Sequence, residues 1–311
     1  FLVIQHRGIR KMEAFILMLI STIGICFGIE VFLSHPVWGD VTAGFVPHLT
    51  SGSLYIAIGI IGATVMPHNL YLHSALVQTR DVEQSIDGKR QASRWNLVDT
   101  AVALNAAFFV NAAILIVSAA VFYQRGIIVT EIQQAHQLLT PLLGTTLAST
   151  LFAVALISAG QSSTLTGTLA GQIVMEGFLQ FKIRPVLRRL ITRSIAIVPA
   201  VIVIAVEGSE GTFGLLILSQ VILSLQLPFA VIPLIQFTSE KSRMGEFTNK
   251  PWVRICAWIV AIIIVGLNMK LVVSVISTWM EAAGSNAVWL WLTVVPVAAG
   301  CGLFLLYISI P

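Results

Sequence analysis

Charged side chains are scarce in this chain of 311 residues: Asp, Glu, Lys and Arg together make up 10%, whereas 57% of the residues are hydrophobic. Soluble globular domains carry about 25% charged residues, so the composition excludes a water-soluble protein. Apolar stretches near the length needed to cross a hydrocarbon core of about 30 Å recur along the whole sequence. The sequence therefore predicts an all-α polytopic membrane protein.

Cysteine is also rare, with three residues in the chain. The three cysteines, Cys26, Cys256 and Cys301, lie far apart in apolar runs, which excludes the spacings typical of a disulfide framework or a zinc site. We expect all three to be packing residues. No His-Glu-x-x-His string is present either, and its absence argues against an intramembrane metalloenzyme that would use His68 and His73.

Hydropathy predicts eight membrane spans along a chain that no linker divides. The approximate spans are 12–34, 53–79, 96–123, 145–178, 190–207, 212–238, 252–281 and 286–310. The chain opens on four apolar residues that are too few to span a bilayer. We expect them to end a helix that starts before residue 1, so that residues 1–311 form a single transmembrane-domain fragment of a longer protein.

Basic residues fall in alternate loops between these spans. Sixteen of the 18 Lys and Arg share this pattern: Arg7, Arg10, Lys11, Arg80, Lys89, Arg90, Arg94, Lys182, Arg184, Arg188, Arg189, Arg193, Lys241, Arg243, Lys250 and Arg254. The positive-inside rule places these loops in the cytoplasm. Membrane orientation therefore explains the formal net charge of +4, and no nucleic-acid partner is predicted.

Some polar residues are predicted to lie at the membrane surface. Glu30, Asp99 and Glu176 are near the ends of predicted spans, so we expect them to be interfacial. Residues 124–144 place Gln and His among apolar residues, a pattern that predicts a short interfacial helix on the outer side.

A proline interrupts the second predicted span. Pro67 lacks a backbone N–H and its ring clashes with the carbonyl four residues earlier, so the helix is predicted to break near Gly62 and Ala63. Unwound backbone inside a bilayer persists only where its carbonyls face protein or a polar cavity. Met66 and His68 would then stand beside free carbonyls, as a site for a soft or borderline metal cation requires. A proline kink with a packing methionine and a hydrogen-bonded histidine is the alternative.

A second polar stretch covers residues 160–172. Gly167 and Gly171 form a Gly-x-x-x-Gly pair beside a row of hydroxyls. Small residues let helices approach closely and hydroxyls bond across the contact, so helix packing is the favoured interpretation. A polar vestibule for ions is the alternative.

A third polar stretch lies in the span 212–238. Gln220, Gln226 and Pro228 occur there at bilayer depth, which predicts a second interrupted or cavity-facing helix. An amide oxygen from either glutamine would be a suitable ligand for a divalent ion. A glutamine that instead forms a hydrogen bond to a neighbouring helix fits the sequence equally well.

These strings resemble the Nramp family of proton-coupled divalent metal transporters. Residues 66–74 (Met-Pro-His-Asn-Leu-Tyr-Leu-His-Ser) look like the family's sixth-helix motif, residues 160–178 are similar to its transport signature, and residues 223–229 (Leu-Ser-Leu-Gln-Leu-Pro-Phe) look like its tenth helix. The resemblance covers essentially the whole chain and implies a LeuT-like inverted-repeat fold. This chain would run from the end of helix four through helix twelve, with the second repeat at about 53–238 and two extra C-terminal helices at about 252–310.

The resemblance also implies metal ligands. Met66 would supply a thioether and Ala63 its backbone carbonyl to the metal ion. Gln220 is assigned as the tenth-helix amide near the metal, with Gln226 as the alternative.

Proton-handling residues are implied in the same way. His68 would belong to the proton pathway rather than to the metal's coordination shell. Arg193 resembles a ninth-helix arginine linked to proton exit, with Arg189 as the alternative. No resident cofactor is implied, because metal ions and protons are the substrates.

One part of the family pattern does not occur in the chain. The family's first helix carries an Asp-Pro-Gly-x-Asn motif that gives the metal a carboxylate and an amide, and no such string is found here. The acidic third-helix residues that accept protons are absent too. We therefore expect this fragment by itself neither to bind metal tightly nor to transport it.

The leading interpretation is an ion transporter rather than an enzyme. As part of a longer chain in a bacterial inner membrane, it would import Mn(II) or Fe(II) together with protons. A magnesium-selective relative and a transport-inactive sensor or structural subunit are the alternatives. Met66 argues against magnesium, because Mg(II) demands oxygen ligands and keeps its waters.

Overall fold

The computed structural model describes residues 9–46, 50–175, 177, 185–283 and 287–310, and α-helices joined by short connections dominate them. The helices are α1 (Ile9–Ser34), α2 (Trp38–Ala43), α3 (Ser51–Thr64), α4 (Pro67–Gln78), α5 (Ile86–Val121), α6 (Ile132–Leu143), α7 (Thr146–Val174), α8 (Pro185–Ser239), α9 (Lys241–Met244), α10 (Pro251–Ala283) and α11 (Ala287–Ser309). No β-strand occurs among the described residues, which confirms the all-α prediction.

Seven helical segments in the described part of the chain are long and apolar enough to cross a membrane. They run over Arg10–Ser34, Ser53–Gln78, Ile86–Arg125, Thr146–Val174, Gly214–Ser239, Pro251–Glu281 and Trp291–Ser309. Each coincides with a predicted span. The eighth predicted span, 190–207, is helical and belongs to α8, where several side chains fall outside the described set. The chain is therefore an integral, multi-pass membrane protein.

Large apolar side chains cover the outside of these helices. Phe32, Val206 and Tyr307 are 80%, 78% and 74% exposed. A soluble protein rarely leaves so much contiguous apolar surface uncovered, whereas lipid chains cover it without cost. This surface fits the exclusion of a water-soluble protein drawn from the composition.

α5 begins well before the span that the hydropathy predicts. α5 starts at Ile86, so Lys89, Arg90 and Arg94 lie in its first turns and not in a loop. Ser85 caps this helix, because its hydroxyl accepts a hydrogen bond from the Gly88 N–H at 3.0 Å. With 36 residues, α5 is about 54 Å long and exceeds the hydrocarbon thickness, so its basic first turns can remain outside the core. Arg254, which was counted with the basic loops, also lies in the first turn of a helix, α10, which starts at Pro251.

Packing divides the chain into two compact units. The first comprises Phe1–Pro47 and Tyr71–Phe213, and the second comprises His48–Leu70 and Gly214–Pro311. The break in the second predicted span thus belongs to the second unit, together with the later part of α8 and with α10 and α11.

The first unit is built around α1, which packs along α7 and α5. Ala148 and Ala155 of α7 are fully buried, and their small side chains allow a close approach of the neighbouring helices. Phe27 of α1 meets Phe152 of α7 edge to face, with ring centroids 6.4 Å apart. Cys26 is buried in this core, as predicted for a packing residue.

Two sequence predictions outside this core have different outcomes. The segment predicted to form a short interfacial helix does contain a helix, α6, which buries Ala135 and Leu139. Cys256 and Cys301 are exposed on α10 and α11, so the prediction that they are packing residues is wrong. An apolar run does not tell a lipid-facing position from a protein-facing one, since both are hydrophobic.

The core of the second unit lies where α3, α8 and α10 meet. Its most buried side chains are Leu54 and Ile58 of α3, Val221 of α8 and Leu271 of α10. Further along α8, Phe229 stacks on Phe304 of α11, with ring centroids 5.9 Å apart. These contacts fix the helix that ends at the break against the helix that carries the two glutamines.

Candidate functional site

The second predicted span is broken, as Pro67 predicts, but the break lies later than expected. α3 continues through Thr64, and the Val65 N–H still donates to the Ile61 carbonyl at 2.9 Å. Helical geometry is lost only at Val65 (φ −117°, ψ 82°) and at Met66, before α4 begins at Pro67. The reason is steric: a proline forces mainly the residue before it out of the helical region.

Pro67 still leaves one carbonyl of α3 without its helical donor. In an unbroken helix the N–H of residue 67 would bond to the carbonyl of Ala63, and proline has no N–H. Ala63 is exposed on the protein surface, whereas Met66 and His68 are half-buried. A free carbonyl, a thioether and an imidazole therefore lie within six consecutive residues of the second unit.

A glycine brings the end of α3 into direct contact with the backbone of α8. A Cβ placed on Gly62 would lie 1.9 Å from the carbonyl oxygen of Gln220 and 2.9 Å from the nitrogen of Ser224. No side chain fits such a gap, so glycine is required by close approach and not by a special backbone angle. The contact sets the Gln220 turn of α8 beside the helix end that precedes Met66.

The two candidate glutamines differ in their surroundings. The side-chain oxygen of Gln220 is buried and has no hydrogen-bond partner among the described residues, while its amide nitrogen donates to the Ser219 hydroxyl at 3.3 Å. Gln226 is exposed. Burying an amide oxygen without a hydrogen-bond donor costs free energy. Of the two glutamines, Gln220 has such an oxygen, and it lies in the turn of α8 that touches Gly62.

Of the two predictions for this span, an interrupted or a cavity-facing helix, an interruption is not observed at Pro228. α8 is helical on both sides of Pro228, and its backbone departs from helical geometry at Gly208 (φ 71°, ψ −154°), between the two spans predicted at 190–207 and 212–238. Glycine tolerates this conformation because it has no Cβ. The helix continues through Pro228, and a neighbouring helix supplies the donor that the proline lacks.

That donor is Asn268 of α10, which the sequence analysis missed. Its side-chain nitrogen donates to the Ser224 carbonyl at 3.1 Å, and its side-chain oxygen accepts from the Ser224 hydroxyl at 3.2 Å. Asn268 is 5% exposed and Ser224 is fully buried. A sequence signal existed: Asn268 is a lone amide in a long apolar run, and Ser224 lies four residues before a proline.

The Gly-x-x-x-Gly pair has no close neighbour in the described part of the chain. A Cβ on Gly167 or Gly171 would meet nothing within 4 Å, so the predicted close helix packing is not observed there. The hydroxyls beside them bond within their own helix, for example Thr168 to the Thr164 carbonyl at 2.7 Å.

Glu30 corrects another prediction. It was expected at the membrane interface, yet it is fully buried, and neither carboxylate oxygen has a hydrogen-bond partner among the described residues. Asp99, by contrast, is exposed and pairs with Arg80 at 3.2 Å. Glu176 lies outside the described residues, as do the side chains of Arg189 and Arg193, although both arginines belong to α8.

No group of three or more His, Cys, Asp or Glu side chains that could hold a metal ion occurs within the described ranges. The candidate donors gathered around the break are of other kinds: a thioether, a backbone carbonyl and an amide. These residues define a class, the multi-pass α-helical membrane proteins in which a broken helix exposes backbone and polar side chains at bilayer depth.

Comparison with known proteins then gives the family. Residues 1–274 match the family described as Nramp, natural resistance-associated macrophage protein-like. The chain belongs to the Nramp family. A crystal structure of a mutant manganese transporter from Eremococcus coleocola matches it with a TM-score of 0.82 at 34% identity, covering 99% of this chain and 68% of that one. The LeuT-like fold expected from the sequence is thereby confirmed.

Bacterial relatives are similar over most of this chain. The divalent metal cation transporter MntH of Nostoc sp. is 54% identical over 284 residues, which cover 90% of this chain and 64% of the relative. The MntH protein of Listeria innocua is 54% identical over 275 residues, covering 87% of this chain and 61% of the relative. The matched part thus spans less than two thirds of either relative. Both are named as transporters and not as enzymes, in agreement with the prediction.

Proposed function

We propose that the whole protein imports divalent transition metal ions, Mn(II) or Fe(II), coupled to protons, across a bacterial cell membrane. Family membership and the names of the relatives support a divalent metal cargo. The Eremococcus protein named as a manganese transporter supports manganese as the first cation to test. The basic loops would face the cytoplasm, so the metal ion would enter from the side of α6.

One observation carries the proposal: the backbone contact between Gly62 and Gln220. It joins the broken helix to the turn of α8 with the buried, unpartnered amide oxygen. Two stretches that are far apart in sequence are thereby joined in one unit. Transport sites in this type of fold are built from such discontinuous helices near the bilayer midplane.

The proposed ligands are the Met66 sulfur, the Ala63 carbonyl and the Gln220 amide oxygen. A thioether is a soft ligand that suits Mn(II), Fe(II), Co(II) or Cd(II) better than it suits the hard cations Mg(II) and Ca(II). Met66 would therefore provide selection against the abundant hard cations rather than most of the affinity. Oxygen ligands from the carbonyl and the amide accept either class of cation.

His68 and Arg193 are proposed for the proton pathway. An imidazole changes its charge near neutral pH and is suited to hand protons on. His68 follows Met66 by two residues, so a proton received there would lie close to the metal ion and favour its release by electrostatic repulsion. Arg193 would take part in proton exit to the cytoplasm through its permanently charged guanidinium.

The test is metal uptake by the full-length protein in proteoliposomes, with Mn(II) measured against Ca(II). Met66→Ala, and the more conservative Met66→Leu, should lower the preference for Mn(II) over Ca(II) about tenfold, because the sulfur interaction is lost while the oxygen ligands remain. Met18→Leu is the control, since Met18 is 54% exposed on α1. Unchanged selectivity in both Met66 variants would refute the ligand assignment.

A further inference from the structure

Pro228 leaves a buried carbonyl of α8 without its helical partner. The residue is buried and the helix continues on both sides of it. Because proline has no N–H, the carbonyl of Ser224, four residues earlier, cannot form its usual hydrogen bond within α8. Lipid and apolar side chains offer no substitute donor, so an unpaired carbonyl at this depth is costly.

Asn268 replaces the missing donor from another helix. Its amide nitrogen reaches the Ser224 carbonyl at 3.1 Å and the Ile264 carbonyl of its own helix at 3.0 Å. Its oxygen accepts from the Ser224 hydroxyl at 3.2 Å. Two reciprocal hydrogen bonds thus join residues 44 positions apart in sequence.

The turn that Asn268 holds is the one that contacts the broken helix. The nitrogen of Ser224 and the carbonyl of Gln220 both lie against Gly62. Val221, between them, packs in the buried cluster with Ile58 of α3 and Leu271 of α10. α3, α8 and α10 therefore meet within one helical turn of Gln220.

We propose that Asn268 is a positioning residue for metal transport. It supplies the donor lost at Pro228 and so holds the Gln220 turn of α8 at the distance from α3 that the metal ion requires. The amide oxygen, which is the atom that could bind a metal ion, accepts from the Ser224 hydroxyl, and the amide nitrogen donates to two protein carbonyls. Asn268 therefore acts through Ser224 and not as a metal ligand. This inference rests on the proposed function, because it assigns a supporting role to the same site.

The experiment measures Mn(II) uptake kinetics and thermal unfolding of the full-length protein. Asn268→Leu keeps a similarly branched side chain and removes both hydrogen bonds, and it should raise the KM for Mn(II) about tenfold with a smaller change in kcat. Pro228→Ala restores an N–H that can bond the Ser224 carbonyl within α8. The double variant Asn268→Leu, Pro228→Ala should therefore have a KM close to that of the unsubstituted protein.

Gln236→Leu is the matched control for a lost hydrogen bond between helices. The Gln236 side chain donates to the Ile308 carbonyl of α11 at 2.8 Å, within the same unit but three turns of α8 beyond Ser224. It should lower the Tm as Asn268→Leu does, yet leave the KM unchanged. A purely structural role for Asn268 predicts instead that both variants change only the Tm.

The outcomes separate the two proposals. An unchanged KM in a folded Asn268→Leu protein, or a raised KM that Pro228→Ala does not rescue, would overturn the positioning role while the transport function stands. Absence of Mn(II) uptake by the unsubstituted protein would overturn the proposed function itself, and the positioning role with it. A KM that is raised by Asn268→Leu and returns towards the parent value when Pro228→Ala is added supports both the positioning role and the transport function.

Discussion

The two compact units differ in whether a buried polar side chain has hydrogen-bond partners. In the second unit, Asn268 and Ser224 satisfy each other through two hydrogen bonds. In the first unit, the fully buried Glu30 has no hydrogen-bond partner for either oxygen among the described residues. The helices that pack on its own helix α1 offer no cation at this level, since residues 100–121 and 146–174 contain no Lys, Arg or His.

The difference teaches that burial alone does not say why a polar residue is present. Asn268 has a structural reason, because Pro228 creates an acceptor that needs a donor. Packing gives no such reason for Glu30, since a buried carboxyl without a donor costs stability. Intramembrane ionisable residues are functional candidates by default, so the comparison is best tested by removing each feature in turn.

The largest effect on stability is expected at the backbone contact between Gly62 and Gln220 in the second unit. Gly62→Ala would push a Cβ into the carbonyl of Gln220, so α3 and α8 must separate. Overpacking against backbone should cost about 3 kcal/mol or more of unfolding free energy. Thermal unfolding in detergent and Mn(II) uptake are the measurements, and both should fall together.

Gly59→Ala is the control for that change. Its Cβ would meet the Ile217 side chain at 3.6 Å, an ordinary van der Waals contact, and Gly59 lies one turn before Gly62 on the same helix. Alanine is also the better helix former, so the variant should be neutral or stabilised by up to about 1 kcal/mol. A Gly62→Ala protein as stable as Gly59→Ala would contradict the close approach on which the site depends.

An intermediate effect of opposite sign is expected in the first unit. Glu30→Leu removes a buried carboxyl that lacks a partner, so it should raise the free energy of unfolding by about 1–3 kcal/mol. Glu30→Gln tests the charge alone at nearly constant volume. A chemical or thermal denaturation series against the parent gives the comparison, and Glu13→Gln, at an exposed position on the same helix, should change nothing measurable.

Transport by the Glu30 variants then tells packing from function. A more stable protein with unchanged Mn(II) uptake would make Glu30 dispensable. A more stable protein with impaired uptake would show that the carboxyl is kept for activity at a cost in stability. Strong destabilisation by Glu30→Leu would instead mean that the carboxyl has a partner in the intact protein, and the contrast with Asn268 would disappear.

The smallest effect is expected at the exposed ion pair of Arg80 and Asp99. The side chains are 51% and 61% exposed, so water screens their attraction. A double-mutant cycle of Arg80→Ala and Asp99→Asn should give a coupling of about 0.2–1 kcal/mol that shrinks in high salt. A coupling above that range, or one that salt does not affect, would show that the pair is buried in the intact protein.

Much of the architecture could be predicted from the sequence because it depends on local chemistry. The apolar runs located seven of the membrane helices, and Pro67 predicted that the second span is broken, although nearer Gly62 and Ala63 than the break at Val65 and Met66. The exact end of α3 could not be read, because one proline constrains the residue before it but leaves the preceding turns free to stay helical. No interruption occurs at Pro228, because a proline does not always break a helix: Pro233 and Pro296 also lie inside continuous helices.

The candidate site was predictable only in part. The position of one proline predicts free carbonyls beside Met66, whereas the choice of the Ala63 carbonyl is implied by the resemblance to the Nramp family. The choice between Gln220 and Gln226 could not be made from their spacing, because both lie at bilayer depth in the same helix. What distinguishes them is contact: the turn of Gln220 touches Gly62, and Gln226 is exposed.

The sequence by itself determined the membrane class, the approximate spans, the basic loops and the existence of a broken helix. These properties follow from the solvent that each segment meets and from bonds that proline cannot form. Only the tertiary structure decided that Gly62 rests on the backbone of Gln220, that Asn268 serves Ser224 and that Glu30 is buried. Such facts depend on which helices touch, and residues far apart in the chain decide that together.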